Sequence, residues 1–315
     1  MDRLGAMMQF VLVVEAGSFS AAARILGQGQ PAVSKAVAQL ETRLGARLLT
    51  RTTRALTLTD AGRAFYERAK AAIDATEEAE AAARGAGAAL AGRLRICAPV
   101  TLARLHIVPR LPEFMAAHPA LELDLILDDR RIDLVEEGID IAVRAGQLAD
   151  SSMVAAHILT GERHVIASPE FWARHRAVEV PADLTDLPFI AYGAGPAGLD
   201  WVFARNGKTE LARMQPKIRL SAIEGVREAV FAGLGFAIGS EWIFPDARGT
   251  GSVERKLEDY RLPAIDLWTI FPAGRQPSAR ARLFAEFLKR SMAAKVGWLD
   301  HNISHDRNPS LALHL

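Results

Sequence analysis

Apolar positions change their period twice along the chain, and each change marks a new part. In the first stretch Leu4, Met7, Met8, Val11, Leu12 and Val14 recur at helical spacing and stop at Gly17. Ser18 is placed to cap a second helix through Leu26, which Gly27 breaks. Val33, Val37, Leu40 and Leu44 then follow at spacings of four, three and four, which predicts a helix over 30–45 with Pro31 in its first turn and Gly45 as its stop. Ser34, Lys35, Ala38 and Thr42 fall on the opposite side. Over residues 48–59, LLTRTTRALTLT, Leu56 and Leu58 alternate with threonines as in a half-buried hairpin.

Thr59 is placed to cap a long alanine-rich helix. On it Phe65, Ala69, Ala72, Thr76, Ala79 and Ala83 keep heptad spacing, and with Ile73 beside them they predict a seam between two copies of the helix. A solvated linker helix is the alternative reading. Residues 84–87, RGAG, mark a hinge, and beyond Gly92 strands alternate with helices. Strands are predicted at 94–98, 121–127, 139–144, 164–168, 189–192, 217–220, 235–240 and 265–271. Helices are predicted at 100–118 with an irregular middle at Pro109 and Pro112, at 133–137, at 224–232 and over 277–293. This alternation predicts a doubly wound α/β region. Residues 294–315 lack a clear apolar period and read as a flexible tail, where His301 and His305 have helical spacing but no further ligands to make a metal site.

A chain of 315 residues with 50% hydrophobic content is long enough for two domains with real cores. The net charge of +1 excludes a wholly basic nucleic-acid coat, but residues 1–62 carry seven basic side chains against four acidic ones. Such a patch suits phosphate contact with steep salt dependence. Cys97 is the single cysteine, so an intrachain disulfide and a thiolate metal cluster are both excluded, and its apolar neighbours mark a buried strand thiol. With no basic-then-apolar leader and no apolar run of bilayer length, the chain is expected in the cytoplasm and outside the membrane.

Helix, short glycine-containing turn and second helix make a helix-turn-helix, and Ala21, Ala22 and Ala23 let the two helices approach closely. Gln30, Ser34 and Lys35 then sit near the N-terminal end of the reading helix, where side chains reach base edges. Arg51 and Arg54 flank the hairpin tip, placed for phosphate or the adjoining minor groove. Taken separately, each piece also fits an ordinary amphipathic helix or a solvated hairpin.

The run SFSAAARILGQGQPAVSKAVAQLETRLGARLLTRTTRALTLTDAG resembles the winged helix-turn-helix of LysR-type transcriptional regulators, and the resemblance continues to about Ala293. Gly29 departs from the pattern, standing where the family has Ser or Thr to cap the reading helix. What the resemblance implies is an N-terminal all-α winged helix-turn-helix with a long linker helix, joined to a two-lobed α/β effector-binding domain resembling type 2 periplasmic binding proteins. The expected bounds are 1–59 for the DNA-binding domain, 60–91 for the linker helix and hinge, and 92–293 for the effector-binding domain. Lobe I is expected at 92–162 and 267–293 and lobe II at 163–266. DNA contacts are expected from Gln30, Pro31, Ser34, Lys35, Arg51 and Arg54. The expected partners are double-stranded promoter DNA, a small-molecule effector, RNA polymerase, and a second copy in a dimer or tetramer, with no cofactor, metal or membrane.

For the effector, two helix starts face the strand ends where ligands of α/β folds bind. Thr101 and Leu102 stand at the first, Glu224 and Gly225 at the second, and Arg144, Tyr192 and Phe236 lie at strand ends that can add charge and apolar walls. Ser221 and Glu224 have capping-box spacing, which reads Glu224 as a cap more than a ligand contact. Two helix N-termini aimed at one cleft favour negative charge, so a carboxylate or carbonyl metabolite is expected. No phosphate loop, metal triad or nucleotide fingerprint is present, and Gly239-Ser240-Glu241 lacks the spacing of a nucleophile elbow, so no enzymatic activity is expected. The alternative is a cytosolic two-lobed enzyme or receptor in which DNA binding is secondary.

Overall fold

The computed structural model describes residues 2–51, 56–84, 90–148, 153–193, 200–244, 251–272 and 276–296. The side chains of Arg51, of residues 77, 78 and 80–84, and of 294–296 lie outside that description. Three helices open the chain, α1 (Arg3–Glu15), α2 (Phe19–Ile25) and α3 (Gln30–Leu44). Ser18 Oγ accepts from the Ala21 amide at 3.1 Å, fixing the start of α2. Gly45 ends α3 at φ 66°, a conformation that costs a residue with a Cβ about 1–2 kcal/mol. Val33, Val37 and Leu40 meet Phe10, Val13, Ala22 and Ala23 in one buried core, so the apolar stripe on α3 is what holds the three helices together.

Strands β1 (Leu49–Arg51) and β2 (Leu56–Leu58) pair antiparallel as the wing, Leu49 opposite Leu58. Thr59 joins this wing to α4 (Asp60–Arg84). Its hydroxyl accepts from the Gly62 amide at 2.9 Å and donates to the Arg47 carbonyl at 2.6 Å. Gly62 itself lies against the Leu48 carbonyl so closely that a Cβ would come within 1.9 Å of the oxygen.

The remainder forms two lobes. The first contains β3 (Gly92–Ala98), the short α5 (Val100–Leu102), α6 (Leu111–Ala117), β4 (Leu121–Leu127), β5 (Ile141–Ala145) and β6 (Val154–Gly161). Between α5 and α6 the helix loosens into a π turn at 103–107 and tightens at 108–110, the irregular middle that Pro109 and Pro112 imply. The chain crosses to the second lobe through Glu162. There follow β7 (Arg163–Ala167), α7 (Pro169–Ala173), β8 (Phe189–Tyr192), β9 (Asp200–Arg205), β10 (Lys208–Arg213), β11 (Pro216–Leu220), α8 (Ile223–Phe231), β12 (Ala237–Ser240) and β13 (Glu254–Lys256). It returns with β14 (Ile265–Phe271), and α9 (Ala279–Val296) closes the first lobe.

The first lobe is a five-stranded sheet ordered β4-β3-β5-β14-β6. β3 runs parallel to both its neighbours, whereas β14 runs antiparallel to β5 and β6. Its core joins Leu94, Ile96, Ile141 and Val143 to Phe114, Phe284 and Phe287. The second lobe has smaller sheets, β11-β8 parallel and β12-β7-β13 antiparallel, over an aromatic core of Phe171, Trp172, Phe189, Phe203 and Phe236. Strict double winding therefore describes neither lobe fully.

Residues 133–137 are a turn and not the expected helix. Asp133 Oδ1 accepts from the amides of Val135 and Glu136 at 2.9 and 3.0 Å, as at a helix start, but Gly138 at φ 63° ends it after a single turn, with the Ile139 amide returning to the Leu134 carbonyl at 2.8 Å. β6, α7, β13 and the β9–β10 hairpin were not expected from the pattern, and α9 continues to Val296, past residue 293.

Candidate nucleic-acid interface and interlobe cleft

On α3 the side away from the core presents Gln30, Pro31, Lys35, Ala38, Gln39 and Thr42, all exposed, while Ser34 is half-buried. Thr42 donates its hydroxyl back to the Ala38 carbonyl at 2.9 Å and so faces its own helix. Gly29 is the N-cap, with no side-chain hydrogen bond, leaving the first amides of α3 uncapped by any hydroxyl. Arg51 is the last residue of β1, and Arg54 lies outside the described residues. The wing is fixed to α3 by Glu41, whose Oε1 accepts from the amides of Leu48 and Leu49 at 2.7 and 3.1 Å. Glu15 is likewise turned inward, onto Tyr66 and Lys70. Two of the four acids of the first 62 residues are thus spent on internal contacts, so the outer face is more positive than the composition implies.

Phe65, Ala69 and Ile73 do not form one seam with the alanines. Phe65 packs edge-on to Phe10 at 5.5 Å, Ala69 is 1% exposed in the core, and Ile73 is packed against that core. Ala72 and Ala79 are exposed, Thr76 is half-buried with its hydroxyl on the Ala72 carbonyl at 2.9 Å, and the Ala83 side chain lies outside the description. The open stripe on α4 is displaced round the helix to Ala61, Ala64, Arg68, Ala72, Ala75 and Ala79. In an alanine-rich helix the apolar period is the same for either stripe, and α1 decides which one is covered.

Between the lobes, the helix starts are already occupied. Asp129, two residues beyond β4, places Oδ1 3.0 Å from the Val100 amide at the start of α5 and Oδ2 3.2 Å from the Ile223 amide at the start of α8. Tyr192, 45% exposed, donates to the Asp129 carbonyl at 3.4 Å. Burial first, and then the Asp129 charge, push the Tyr192 phenol up from its ordinary value. Glu224 makes the second link. It accepts from Thr101 Oγ1 at 2.8 Å and from Arg104 at 2.7 Å, both on the opposite lobe. The N-cap of α8 is Ala222 and no side-chain cap is made, so the capping-box reading of Ser221 and Glu224 is overturned. Thr101, 1% exposed, has its hydroxyl committed to Glu224, and Leu102 belongs to the first lobe's core. Gly225 lies beneath Leu220, and Phe236 is fully buried between Phe189 and Trp172, which makes it core and not a wall of the cleft.

Arg144 is half-buried, and among the described residues its guanidinium reaches the Val143 carbonyl and Cys97 Sγ, each at 3.4 Å. Burial pushes the Cys97 thiol up and the Arg144 charge opposes it. Asp128 is held down at about 2, chiefly by the Arg130 side chain and then its amide, with Arg144 contributing. Asp128 and Asp129 were missed from the sequence, although they follow directly on a strand at its carboxyl end, where the position rule for α/β folds points. Among the described residues no His, Cys, Asp or Glu group can hold a metal ion, and no helix is long and apolar enough to cross a membrane.

These two sites recur together in known proteins. A family model for "Bacterial regulatory helix-turn-helix protein, lysR family" matches residues 4–63, and one for "LysR substrate binding domain" matches 87–293. An HTH-type transcriptional repressor of Pseudomonas aeruginosa strain UCBPP-PA14 is 35% identical over 295 residues, covering 93% of either chain. The solved structure of CrgA, a LysR-type regulator of Neisseria meningitidis, is similar at 26% identity and a TM-score of 0.58, over 92% of this chain and 98% of that one. Full-length OxyR of Pseudomonas aeruginosa shares the fold at 18% identity and a TM-score of 0.69, over 93% and 95%. With both modules matched in order along one chain, this protein belongs to the LysR family of transcriptional regulators, having a helix-turn-helix DNA-binding domain and a substrate-binding domain.

Proposed function

We propose that α3 reads the major groove of promoter DNA through Gln30, Ser34 and Lys35, with Pro31 at the groove edge, while Arg51 and Arg54 of the wing hold the sugar-phosphate backbone. The observation that carries this reading is the Glu41 link, which holds the wing rigidly beside the exposed face of α3. A second copy docks along α4 on the Ala61, Ala64, Arg68, Ala72, Ala75 and Ala79 stripe, setting two reading heads on one operator, and dimers pair further into tetramers. The regulator works in the cytoplasm and acts on RNA polymerase at the same promoter.

The effector binds between the lobes. A carboxylate or carbonyl metabolite competes with Asp129 for the Val100 and Ile223 amides, and Arg144 supplies the counter-charge. Among the described residues Thr101, Arg104 and Glu224 are tied to one another across the lobes, which favours a binding role over an enzymatic one.

Fluorescence anisotropy with duplexes from the region upstream of the gene tests the DNA reading. Lys35→Ala is expected to relax sequence preference by about 1–3 kcal/mol at one base step, whereas Arg51→Ala weakens all duplexes alike and flattens the salt slope by about one unit. Equal binding of promoter and shuffled duplexes by the unaltered protein at near-physiological salt would remove the reading.

A further inference from the structure

The turn at 133–140 faces two ways. Leu134 and Ile139 are buried in the first lobe beside Cys97, Ala142 and Ile270, whereas Val135 packs on the core of the winged-helix module. Its polar groups follow Val135. Arg63 of α4 donates to Asp133 at 3.2 Å and also to Glu136. Lys70 Nζ donates to the Gly138 carbonyl at 3.1 Å and pairs with Asp140 Oδ1 at 2.8 Å and Glu15 Oε1 at 2.9 Å. Lys70 is 7% exposed and Asp140 2%. Tyr66 completes the group by donating to Glu15 at 3.0 Å. Gly138, at φ 63°, sits so close that a Cβ would stand 3.0 Å from both Glu15 Cγ and Tyr66 Oη.

The same stretch of chain begins at the cleft and returns to it. Asp128 and Asp129 precede the turn, and Asp140 leads directly into β5, which carries Arg144. Arg144 rests on Cys97, and Cys97 shares a packed cluster with Leu134 and Ile139. We propose that the 133–140 turn is a latch through which the arrangement of the interlobe cleft sets the seating of the DNA-reading module in the same chain. This rests on the reading of the cleft as the effector site. Its physical basis is that Lys70 compensates the Glu15 and Asp140 carboxylates together away from water, so withdrawing one partner weakens the pairing of the others in low dielectric. The seat therefore opens and closes as a coupled group, the behaviour that coupling between distant sites requires. Asp129 lies four residues before Asp133 and Arg144 four after Asp140, so a displacement of either reaches the turn along the chain or through the Cys97 cluster.

Hydrogen exchange of the full-length protein, without DNA or effector, tests the latch separately from the functional reading. Lys70→Met and, with no charge altered, Gly138→Ala are each expected to speed exchange in 63–74 and 133–140 by about tenfold or more while the β3 and β14 amides keep their protection. Asp129→Ala and Arg144→Met, made only in the cleft, are expected to speed exchange in 63–74 in the same direction by at least about threefold. If both cleft variants fold, by retained β3 and β14 protection, yet alter only residues around 98–104, 141–145 and 220–226, the coupling is refuted. Unchanged exchange at 63–74 in Lys70→Met would refute the latch itself. Because no duplex is present, these outcomes stand whether or not α3 binds the promoter.

Discussion

Thr101 carries two competing demands. A hydroxyl at that position can meet a ligand, but here it donates to Glu224 across the lobes, and Glu224 also holds Arg104. Thr101→Val keeps the shape and removes the donor, so it is expected to lower stability by about 1.5–3 kcal/mol, the range for a hydrogen bond to a charged group, read as a lower urea midpoint at constant slope. A midpoint unchanged in Thr101→Val would mean that the Glu224 link contributes nothing to closure. Asp128 gives a pH signature. Its carboxyl is lowered in the folded chain to about 2, so its contribution is complete above the unfolded value near 4 and is lost as pH falls from there through about 2. A carbon-detected NMR titration is expected to show this carboxylate still ionised at pH 3.

Elements built from one sequence-local signal were legible, and those that depend on what lies opposite were not. α3 could be placed from Pro31 to Gly45 because its apolar stripe, first-turn proline and glycine stop agree. Its stripe is also its stability: Leu40→Ala is expected to cost about 2–5 kcal/mol, seen as early unfolding of the DNA-binding module in urea. The β9–β10 hairpin carried a readable signal that went unused. Asn206 and Gly207 adopt φ 51° and 75°, both positive as a tight primed turn demands, and Asn-Gly is its usual sequence. The 133–137 segment starts as a helix does, with Asp133 capping the Val135 and Glu136 amides, but Gly138 at φ 63° ends it after one turn. At the cleft, Thr101 meets Glu224 and Tyr192 meets Asp129, while Arg144 lies on Cys97, and the Asp129 carboxylate, which accepts amides from different lobes, has no signature in either segment alone. Phe236 shows the same limit from the other side: a strand-end aromatic reads alike whether the lobe's core or the cleft receives it.

At the scale of the whole molecule, α4 belongs to everything: α1 covers one face, the 133–140 turn another, and Arg280 of α9 a third, paired with Asp74 at 2.6 Å. What remains open is the alanine stripe. Ala75→Glu, on that stripe, is expected to yield monomers in sedimentation with an undisturbed fold, whereas Ala69→Glu, 1% exposed, is expected to unfold the DNA-binding module. A dimeric Ala75→Glu protein would move the interface off this face. The position of Lys70 along α4 also has a mechanical meaning. The helix is 25 residues long, and at about 1.5 Å per residue Lys70 divides it into arms of roughly 15 Å toward the wing and 21 Å toward the hinge. With Gly62 wedged against Leu48, the wing travels with the shorter arm as one rigid piece. A tilt of about 6.5° about Lys70 moves the end of the shorter arm by about 1.7 Å, so the two heads of a dimer change their separation by about one base-pair rise of 3.4 Å. Operators whose half-sites differ by a single inserted base pair thus become a ruler for the angle of this helix.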